Sequence, residues 1–315
     1  MEFVGVVDSS PARAAQVAAE FGTQAFASLE ELLQRGKPQA ASVAVPTVAH
    51  LEVARKLMQA GVDVLIEKPV APTLAEADEM IRLAEQHGRI AQAGQLERFN
   101  PAVRATLPLL TKPMFFEVHR LSVFTPRSLD VDVVLDLMIH DIDVVLSFVQ
   151  SPVKEIRAVG LPILSPKVDI ANVRMEFDSG CVANFTASRV STERVRKLRF
   201  FQPQQYISLD YTRQDVVTFT VSSDGGAGAG GLQGLLASMG EEQDHPSSPQ
   251  IKISKPEVMR EEPLRAELSA FLHSVRTRSS AAVPLEDGRR ALAVALKILE
   301  AIGEHSRNVN LEKLR

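Results

Sequence analysis

Two short segments of the chain carry side chains that could stabilise negative charge and move a proton. Lys68 stands between an apolar run and Pro69, which holds its ammonium group at a defined place from which it can donate to an oxyanion. Asp136, His140 and Asp143 are four and three residues apart in an otherwise apolar stretch, so a helix brings them to one face. A histidine oriented by a carboxylate one turn away is suited to act as a general base.

Other interpretations of the second segment remain open from the residues alone. A charged row in so apolar a helix would be costly to bury without partners, so the row could instead be a partly exposed helix edge. His140 could also be a hydrogen-bonded histidine of the core. The spacing of Asp136 and His140 would suit two metal ligands, but no third and fourth ligand follow at a clear spacing, so we predict no metal site.

Further polar residues follow the ends of apolar runs in the first hundred residues. Asp8 ends the first run, and in dinucleotide-binding folds an acidic residue at such a place accepts hydrogen bonds from a ribose. It could equally cap the helix that follows. As a ribose ligand its charge would favour NAD over NADP, a preference that Arg13 could moderate. The other residues of this kind are Pro46, Thr47, His50 and Glu67.

The elements that must position these residues alternate between short apolar runs and helical patterns. This alternation predicts a parallel α/β sheet with right-handed crossovers. Ligands of such sheets lie beyond the carboxyl ends of the strands, so the residues named above should gather at one edge. No Gly-x-Gly-x-x-Gly motif follows any predicted strand. In chain order, the main predicted strands and helices are 3–7, 12–21, 41–45, 50–60, 62–66, 73–87 and 90–94.

The pattern changes after residue 98. Between 153 and 221 the chain consists of successive strand patterns with no helix among them, which predicts a mostly antiparallel sheet. The Gly-, Ser- and Pro-rich segment 223–250 is predicted to be a mobile loop, either without a role or part of an active site or subunit contact. Helices are predicted at 99–110, 131–148, 263–277 and 286–305.

Composition and charge limit the class of protein. The 315 residues suggest two domains, and a net charge of −4 argues against a nucleic-acid binder. One cysteine excludes an intrachain disulfide framework and fits a reducing compartment. No apolar run reaches the length of about 18 residues that a membrane span needs, and the N-terminus does not resemble a signal peptide. We therefore expect a cytoplasmic protein that binds a small molecule rather than nucleic acid or membrane.

Together these residues resemble the Gfo/Idh/MocA family of nicotinamide-dependent oxidoreductases over essentially the whole chain. The most specific combination is Glu67-Lys68-Pro69 followed downstream by Asp136-x-x-x-His140. The resemblance implies a Rossmann dinucleotide-binding domain over 1–98 and an α+β domain over 99–315, whose large, open, mostly antiparallel sheet serves substrate binding and oligomerisation. The remaining matches are Val7-Asp8 with Pro11 and Arg13, Pro46-Thr47 with His50, and Arg98-Phe99-Asn100-Pro101.

The resemblance also implies an alcohol oxidation or its reverse. Within it, His140 takes the hydroxyl proton, Lys68 donates a hydrogen bond to the same oxygen, and Asp136 keeps substrate and histidine in register. The implied cofactor is NAD, with NADP as the alternative. The residues that would hold this cofactor are Asp8, Arg13, Pro46, Thr47, His50, Glu67, Lys68 and Pro69.

The substrate is less narrowly defined. Members of the family mostly handle sugars, inositols and related polyols, and segment 120–140 is similar to members that oxidise the 3-hydroxyl of UDP-N-acetylglucosamine. A nucleotide sugar, a simple sugar or inositol, and other carbonyl or imine substrates stay open, as does a non-catalytic dinucleotide-binding regulator. The expected substrate contacts are Arg98, Asn100, Arg120, Arg127, Asp136 and His140, with Arg189 as a further cation.

The resemblance carries two expectations about larger structure. Family members open with a strand, a Gly-rich phosphate loop and a helix before the strand that ends here at Asp8, and this sequence begins on that strand. We therefore expect the parallel sheet to lack a central strand, apolar surface to lie open beside 3–7 and 41–45, and NAD binding to be poor unless an upstream extension supplies the unit. The open sheet is expected to form a homodimer or homotetramer.

Overall fold

The computed structural model describes residues 2–125, 130–222 and 250–309. The chain folds into two compact units. Unit 1 consists of Met1–Gln95 and Glu267–Arg290, and unit 2 of Leu96–Ala266 and Ala291–Arg315. The chain thus returns to unit 1 after the large sheet, a feature that the sequence pattern did not predict. The assignment of functional domains to 1–98 and 99–315 stays a prediction.

Unit 1 is built from strands that alternate with helices, and its strand pairs are all parallel. One sheet pairs β1 with β2, and a second has the order β3-β4-β5. This confirms the predicted Rossmann-type organisation. The elements are β1 (Val6–Val7), α1 (Pro11–Phe21), β2 (Ala25–Phe26), α2 (Leu29–Glu31) with a π-helical turn (Leu32–Gly36), β3 (Ala40–Val43), α3 (His50–Gln59), β4 (Asp63–Glu67), α4 (Leu74–His87) and β5 (Ala91–Gly94).

The strands of the two parallel sheets differ in how well they are covered. In β4, Val64, Leu65 and Ile66 are each at most 1% exposed, as expected for a strand paired on both sides. Beside β1 and β3, by contrast, Val7 is 37% and Val45 36% exposed. Within the described residues no strand pairs with β3 on the side away from β4. Apolar surface therefore lies open beside both strands, where the sequence led us to expect it.

The helices of unit 1 begin and end at the residues that local chemistry favours. Ser10, Ser28 and Thr73 precede α1, α2 and α4, and each side-chain oxygen accepts a hydrogen bond from a backbone N–H of the first turn. Gly22 and Gly88 follow α1 and α4 with left-handed backbone angles that glycine adopts without steric cost. The strand-to-helix connections are therefore short and well defined.

Unit 2 contains an eight-stranded sheet of order β13-β12-β11-β10-β6-β9-β8-β7. Only β6 and β9 are parallel neighbours, so the prediction of a large, mostly antiparallel sheet is confirmed. The strands are β6 (Phe115–Val123), β7 (Val153–Leu161), β8 (Ile170–Phe177), β9 (Val182–Ser191), β10 (Val195–Gln202), β11 (Gln205–Asp210), β12 (Asp215–Ser222) and β13 (Gln250–Ser254).

The last strand is not among those that the sequence predicted. Segment 223–250 was expected to be a loop; residues 223–249 lie outside the described residues, and Gln250 opens β13. Two helices follow as predicted, α7 (Pro263–Thr277) and α8 (Leu285–Asn308). None of the helices in the described ranges combines the length and apolarity needed to cross a membrane.

The helix predicted at 131–148 has a composite form. A π-helical turn covers Val134–Met138, and α6 (Ile139–Phe148) follows without a break. Its apolar face packs in a continuous core with sheet residues such as Phe116, Phe185 and Phe200, each at most 1% exposed. The chemically interesting Asp136 lies in the π turn and His140 in the first turn of α6.

The helix predicted at 99–110 is broken into three parts. A 3-10 turn over Leu96–Phe99 leads to α5 (Pro101–Thr106), and a second 3-10 turn covers Leu107–Leu109. Pro108 explains the end of α5, because its ring has no N–H to donate and clashes with a carbonyl one turn earlier.

Candidate active site

In unit 1, Asp8 combines the two roles considered for it from sequence. Its Oδ1 accepts a hydrogen bond from the backbone N–H of Ser10 at 2.8 Å, which fixes the turn after β1. Its Oδ2 lies 3.8 Å from Nε of Arg13, and the carboxylate side chain is 36% exposed. One oxygen is thus used locally, while the other remains accessible to a hydroxyl donor.

His50 connects the loops that follow β3 and β4. The ring is 1% exposed, with Nε2 2.9 Å from the Val45 carbonyl and Nδ1 3.1 Å from the Val70 carbonyl. Both nitrogens therefore face the main chain rather than a ligand. This supports a positioning role, in which His50 fixes the exposed Pro46 and the half-buried Thr47 relative to the loop that carries Lys68.

Glu67, Lys68 and Pro69 follow directly on the buried part of β4 and are all half-buried. The Lys68 backbone N–H donates to Oε2 of Glu67 at 3.3 Å, and the Lys68–Pro69 peptide is cis. Gly94 allows β5 to approach this segment closely. A Cβ on Gly94 would lie only 3.1 Å from the Glu67 Cα and 3.2 Å from Glu67 Oε2.

Glu267 is a buried acidic residue near Glu67 that sequence reasoning missed. It is 1% exposed, and its Oε1 has no hydrogen-bond partner among the described residues. Burial, and then the nearby Glu67 carboxylate, raise the pKa of Glu267 to about 8. A neutral carboxyl group therefore stands beside Glu67 near neutral pH. No sequence signal distinguishes it from the other charged residues of α7.

These features can be compared with what a nicotinamide dinucleotide requires. The accessible oxygen of Asp8 suits a ribose hydroxyl, and the loops around Pro46, Thr47 and Lys68 follow parallel strands at their carboxyl ends, where such ligands bind. Among the described residues, no turn after β1 to β5 has the glycine pattern of a diphosphate cradle. The residues present in unit 1 thus fit the ribose and nicotinamide portions of the dinucleotide.

In unit 2, Asp136 and His140 are half-buried, whereas Asp141 and Asp143 are at most 2% exposed. The sequence placed Asp136, His140 and Asp143 on one face. Asp143 instead faces the interior, where its Oδ2 lies 3.5 Å from Nε of Arg98. Asp136 and His140 are therefore the two polar side chains of this helix row that remain accessible in part.

Behind this helix lies a buried network centred on Arg120, which is 2% exposed. Its Nε and Nη2 donate to the two oxygens of Asp141 at 2.7 and 2.9 Å, and its Nη1 donates to Glu97 at 3.0 Å. Burial opposes the charge, but Asp141 and Glu97 together raise the pKa of the Arg120 guanidinium. The guanidinium also stacks on Tyr211, 5.1 Å from the ring centroid.

Asn100 extends the network. Its Nδ2 donates to Glu97 at 3.0 Å and to the Tyr211 carbonyl at 3.1 Å, and its Oδ1 caps α5 at the N–H of Ala102. The polar groups of Arg120 and Asn100, which the sequence assigned to substrate, are thus engaged within the protein. Arg120 is placed to support the helix that carries His140, and Asn100 supports Glu97 in the same network.

Two further arginines that the sequence suggested as substrate contacts also lie close to carboxylates. Arg98 faces Asp143, as described above, and Arg189 is 5% exposed with Nε 3.7 Å from Asp169. Arg127 lies outside the described residues. Within those residues, no group of three or more His, Cys, Asp or Glu side chains is arranged to hold a metal ion.

Comparison with known proteins relates both units to one group of enzymes. Residues 1–95 match a family model described as an oxidoreductase family with an NAD-binding Rossmann fold, and residues 115–207 match the GFO/IDH/MocA C-terminal domain. UDP-N-acetylglucosamine 3-dehydrogenase from Acidithiobacillus ferrooxidans is 34% identical over 302 residues, which cover 96% of this chain and 90% of that protein.

Two further comparisons extend this result. A crystal structure of that same dehydrogenase superposes with a TM-score of 0.84, covering 95% of this chain and 89% of the other. The scyllo-inositol 2-dehydrogenase (NAD(+)) of Bacillus subtilis is 26% identical over 206 residues, which cover 60% of each chain.

Proposed function

The chain belongs to the Gfo/Idh/MocA family of oxidoreductases, and on that premise we propose that it oxidises the 3-hydroxyl of a nucleotide sugar such as UDP-N-acetylglucosamine. Membership makes it an NAD(P)-dependent oxidoreductase of CH–OH groups. The identity of the sugar is the proposal. It is supported chiefly by similarity to UDP-N-acetylglucosamine 3-dehydrogenase along 96% of the chain.

We propose Lys68, Asp136 and His140 as the catalytic residues. His140, half-buried at the start of α6, accepts the proton of the hydroxyl group, and Asp136 orients the histidine and the substrate. Lys68 donates a hydrogen bond to the oxygen as negative charge develops there. The bound nicotinamide supplies the hydride acceptor.

The residues proposed to hold the cofactor divide into contacts and supports. Asp8 accepts from a ribose hydroxyl with its accessible oxygen, while Arg13 lies beside it. Pro46, Thr47, Glu67, Lys68 and Pro69 line the loops after β3 and β4, and His50 locks those loops together through two carbonyl groups.

The proposal is tested by incubating the protein with NAD or NADP and a panel of UDP-N-acetylglucosamine, other sugars and myo-inositol, while nicotinamide reduction is followed by absorbance. We expect reduction with the nucleotide sugar and a 3-keto product by mass spectrometry. Turnover of inositol alone would favour the second candidate, a polyol dehydrogenase, which the B. subtilis relative supports. Binding of NADH without turnover of any compound would favour a regulator.

We also propose that the exposed face of the eight-stranded sheet forms a homodimer or homotetramer. Four aromatic rings cross neighbouring strands on this face, with centroid distances of 5.7, 4.9 and 5.3 Å along Phe115, Phe201, Tyr206 and Phe219. Phe201 remains 38% exposed. Such a row is costly to leave in water, and a second copy would cover it. Sedimentation of a monomer would contradict this assembly.

A further inference from the structure

The helix-facing side of the sheet in unit 2 carries two neighbouring arginines. Arg196 on β10 is the register partner of Arg120 on β6, and cross-strand partners lie on the same face of a sheet. Arg120 reaches the helix through Asp141, so this face is the one that α6 covers. The burial of Leu198 and Phe200, two and four residues further along β10, agrees with this orientation.

Arg196 differs from the other arginines of this region in its partners. Arg98, Arg120 and Arg189 each lie within 4 Å of a carboxylate, namely Asp143, Asp141 and Asp169. In the part of the chain that the structure describes, Arg196 has no such ion pair, and its buried Nε has no hydrogen-bond acceptor. A buried guanidinium N–H without an acceptor is unfavourable. The described residues therefore leave the Arg196 guanidinium without the partner that the neighbouring arginines have.

The electrostatic surroundings of Arg196 agree with that conclusion. Burial, and then the charge of Arg120, lower the pKa of the Arg196 guanidinium, and Glu97 and Asp141 offset this only in part. Arg194, which is exposed, adds a further positive charge nearby. An external anion bound against this half-buried side chain would therefore reduce the repulsion among these three arginines.

We propose that Arg196 binds a phosphate oxygen of the substrate, on the sheet face where Arg120 holds Asp141, the residue next to His140. The planar guanidinium fork matches the oxygens of a phosphate group better than a hydroxyl does. This inference rests on the proposed function, because it places the diphosphate of a nucleotide sugar in the neighbourhood of the base that accepts the proton of the sugar hydroxyl. Arg196 then selects phosphorylated over neutral sugars.

The kinetic test compares N-acetylglucosamine, its 1-phosphate and its UDP derivative as substrates of Arg196→Gln and wild type. Loss of a charged hydrogen bond should raise KM for the UDP sugar about 10- to 100-fold and leave kcat within about 3-fold. The KM of the neutral sugar should not change. Arg199→Gln is the matched control, because Arg199 lies on the same strand with its side chain 38% exposed beside Glu117, and it should change neither KM.

A binding test is independent of turnover. Calorimetric titration with UDP should give an affinity at least about tenfold weaker for Arg196→Gln than for wild type, with Arg199→Gln unchanged. If Arg196→Gln does not fold, Arg196→Lys serves instead, since it keeps the charge but lacks the buried Nε. For this variant we expect a KM for the UDP sugar several-fold above wild type.

The outcomes separate this inference from the proposed function. An Arg196 variant with unchanged KM and unchanged UDP affinity overturns the phosphate contact and leaves the proposed oxidation of the nucleotide sugar intact. A wild-type enzyme that oxidises only neutral sugars contradicts both. A fall in kcat at constant KM also overturns the phosphate contact, because that result would indicate support of Arg120. UDP binding that depends on Arg196 in a protein without turnover supports the contact and contradicts the oxidation.

Discussion

At the scale of residues, one buried guanidinium binds two buried carboxylates. Arg120 binds both oxygens of Asp141 and one oxygen of Glu97. Because Asp141 follows His140 directly, these bonds restrict the helix turn on which the proposed base is mounted. We propose that the arginine acts on the chemistry through the helix backbone.

Replacement of Arg120 by Met should destabilise the protein by about 3–5 kcal/mol, because it leaves two carboxylates buried without their cation. The free energy of unfolding in denaturant measures this change. Arg104→Met, at an exposed position of α5, is the control, for which a change within about 0.5 kcal/mol is expected. Equal effects of the two substitutions would show that the network contributes nothing to stability.

Lys68→Ala and His140→Ala should each lower kcat/KM by at least about 100-fold, since each removes a group that we propose acts on the reacting oxygen. Thermal unfolding should stay close to that of wild type. His119→Ala and Lys197→Ala are suitable controls, because these half-buried residues are register partners on the other face of the sheet. Near-normal turnover in either active-site variant would remove that residue from the mechanism.

The limits of sequence reasoning are clear at this scale. The motif Glu67-Lys68-Pro69 and the pair Asp136 and His140 could be found because their residue types stand out against apolar neighbours. The engagement of Arg120 could not, because it depends on Asp141 and Glu97, which come from a helix and a turn that the fold brings to β6. A lone arginine on a strand gives no indication of its partners.

At the scale of elements, the N-terminal part of α8 packs tightly on the loop after β4. A Cβ on Gly288 would approach Val70 Cγ1 to 2.6 Å and the Ala93 Cβ to 2.8 Å. Val70 in turn presents its carbonyl to His50. The start of α8 thus packs against the loop segment that contains Lys68.

Gly288→Ala should therefore cost about 1–3 kcal/mol of stability, although alanine favours a helix elsewhere, because the added methyl overpacks this contact. We expect activity to fall as well, since the loop of Lys68 must shift to make room. Gly303→Ala, later in the same helix, is the matched control, because the nearest atom to its Cβ would be the end of the Arg307 side chain at 3.5 Å. If Gly288→Ala were more stable than wild type, the packing of Gly288 against Val70 and Ala93 would be looser than these distances indicate.

Most elements of the fold were predictable, since strands such as β4 are short apolar runs and α4 has both caps in its sequence. The observed elements differ from the predicted ones where tertiary packing, and not the local sequence, determines the backbone conformation. The π-helical turn over Val134–Met138 has no local sequence signal, and a helix-breaking proline shortened α5. β13 is a short strand of alternating polar and apolar residues, and its place at the sheet edge comes from pairing with β12.

At the scale of the whole molecule, Glu267 should make stability depend on pH. Its folded-state pKa of about 8 lies above the ordinary value of 4.5, so the folded state retains the proton that the unfolded state releases. The contribution of Glu267 to the free energy of unfolding is fully present below about pH 4.5 and is lost as the pH rises to about 8.

Glu267→Gln imitates the neutral acid and should remove this loss. At pH 9 we expect the variant to be more stable than wild type by a few kcal/mol, and at pH 4 the two should be nearly equal. Denaturant unfolding over this pH range provides the measurement, with Glu85→Gln on an exposed face of α4 as control. Parallel pH profiles for wild type and Glu267→Gln would mean that Glu267 is ionised throughout.

The most direct test of the whole account is the oxidation of UDP-N-acetylglucosamine by the purified protein with saturating NAD or NADP. We predict nicotinamide reduction that matches the formation of a 3-keto sugar, and its loss in Lys68→Ala and His140→Ala. A wild-type protein that binds the cofactor yet leaves the nucleotide sugar unchanged would contradict the account.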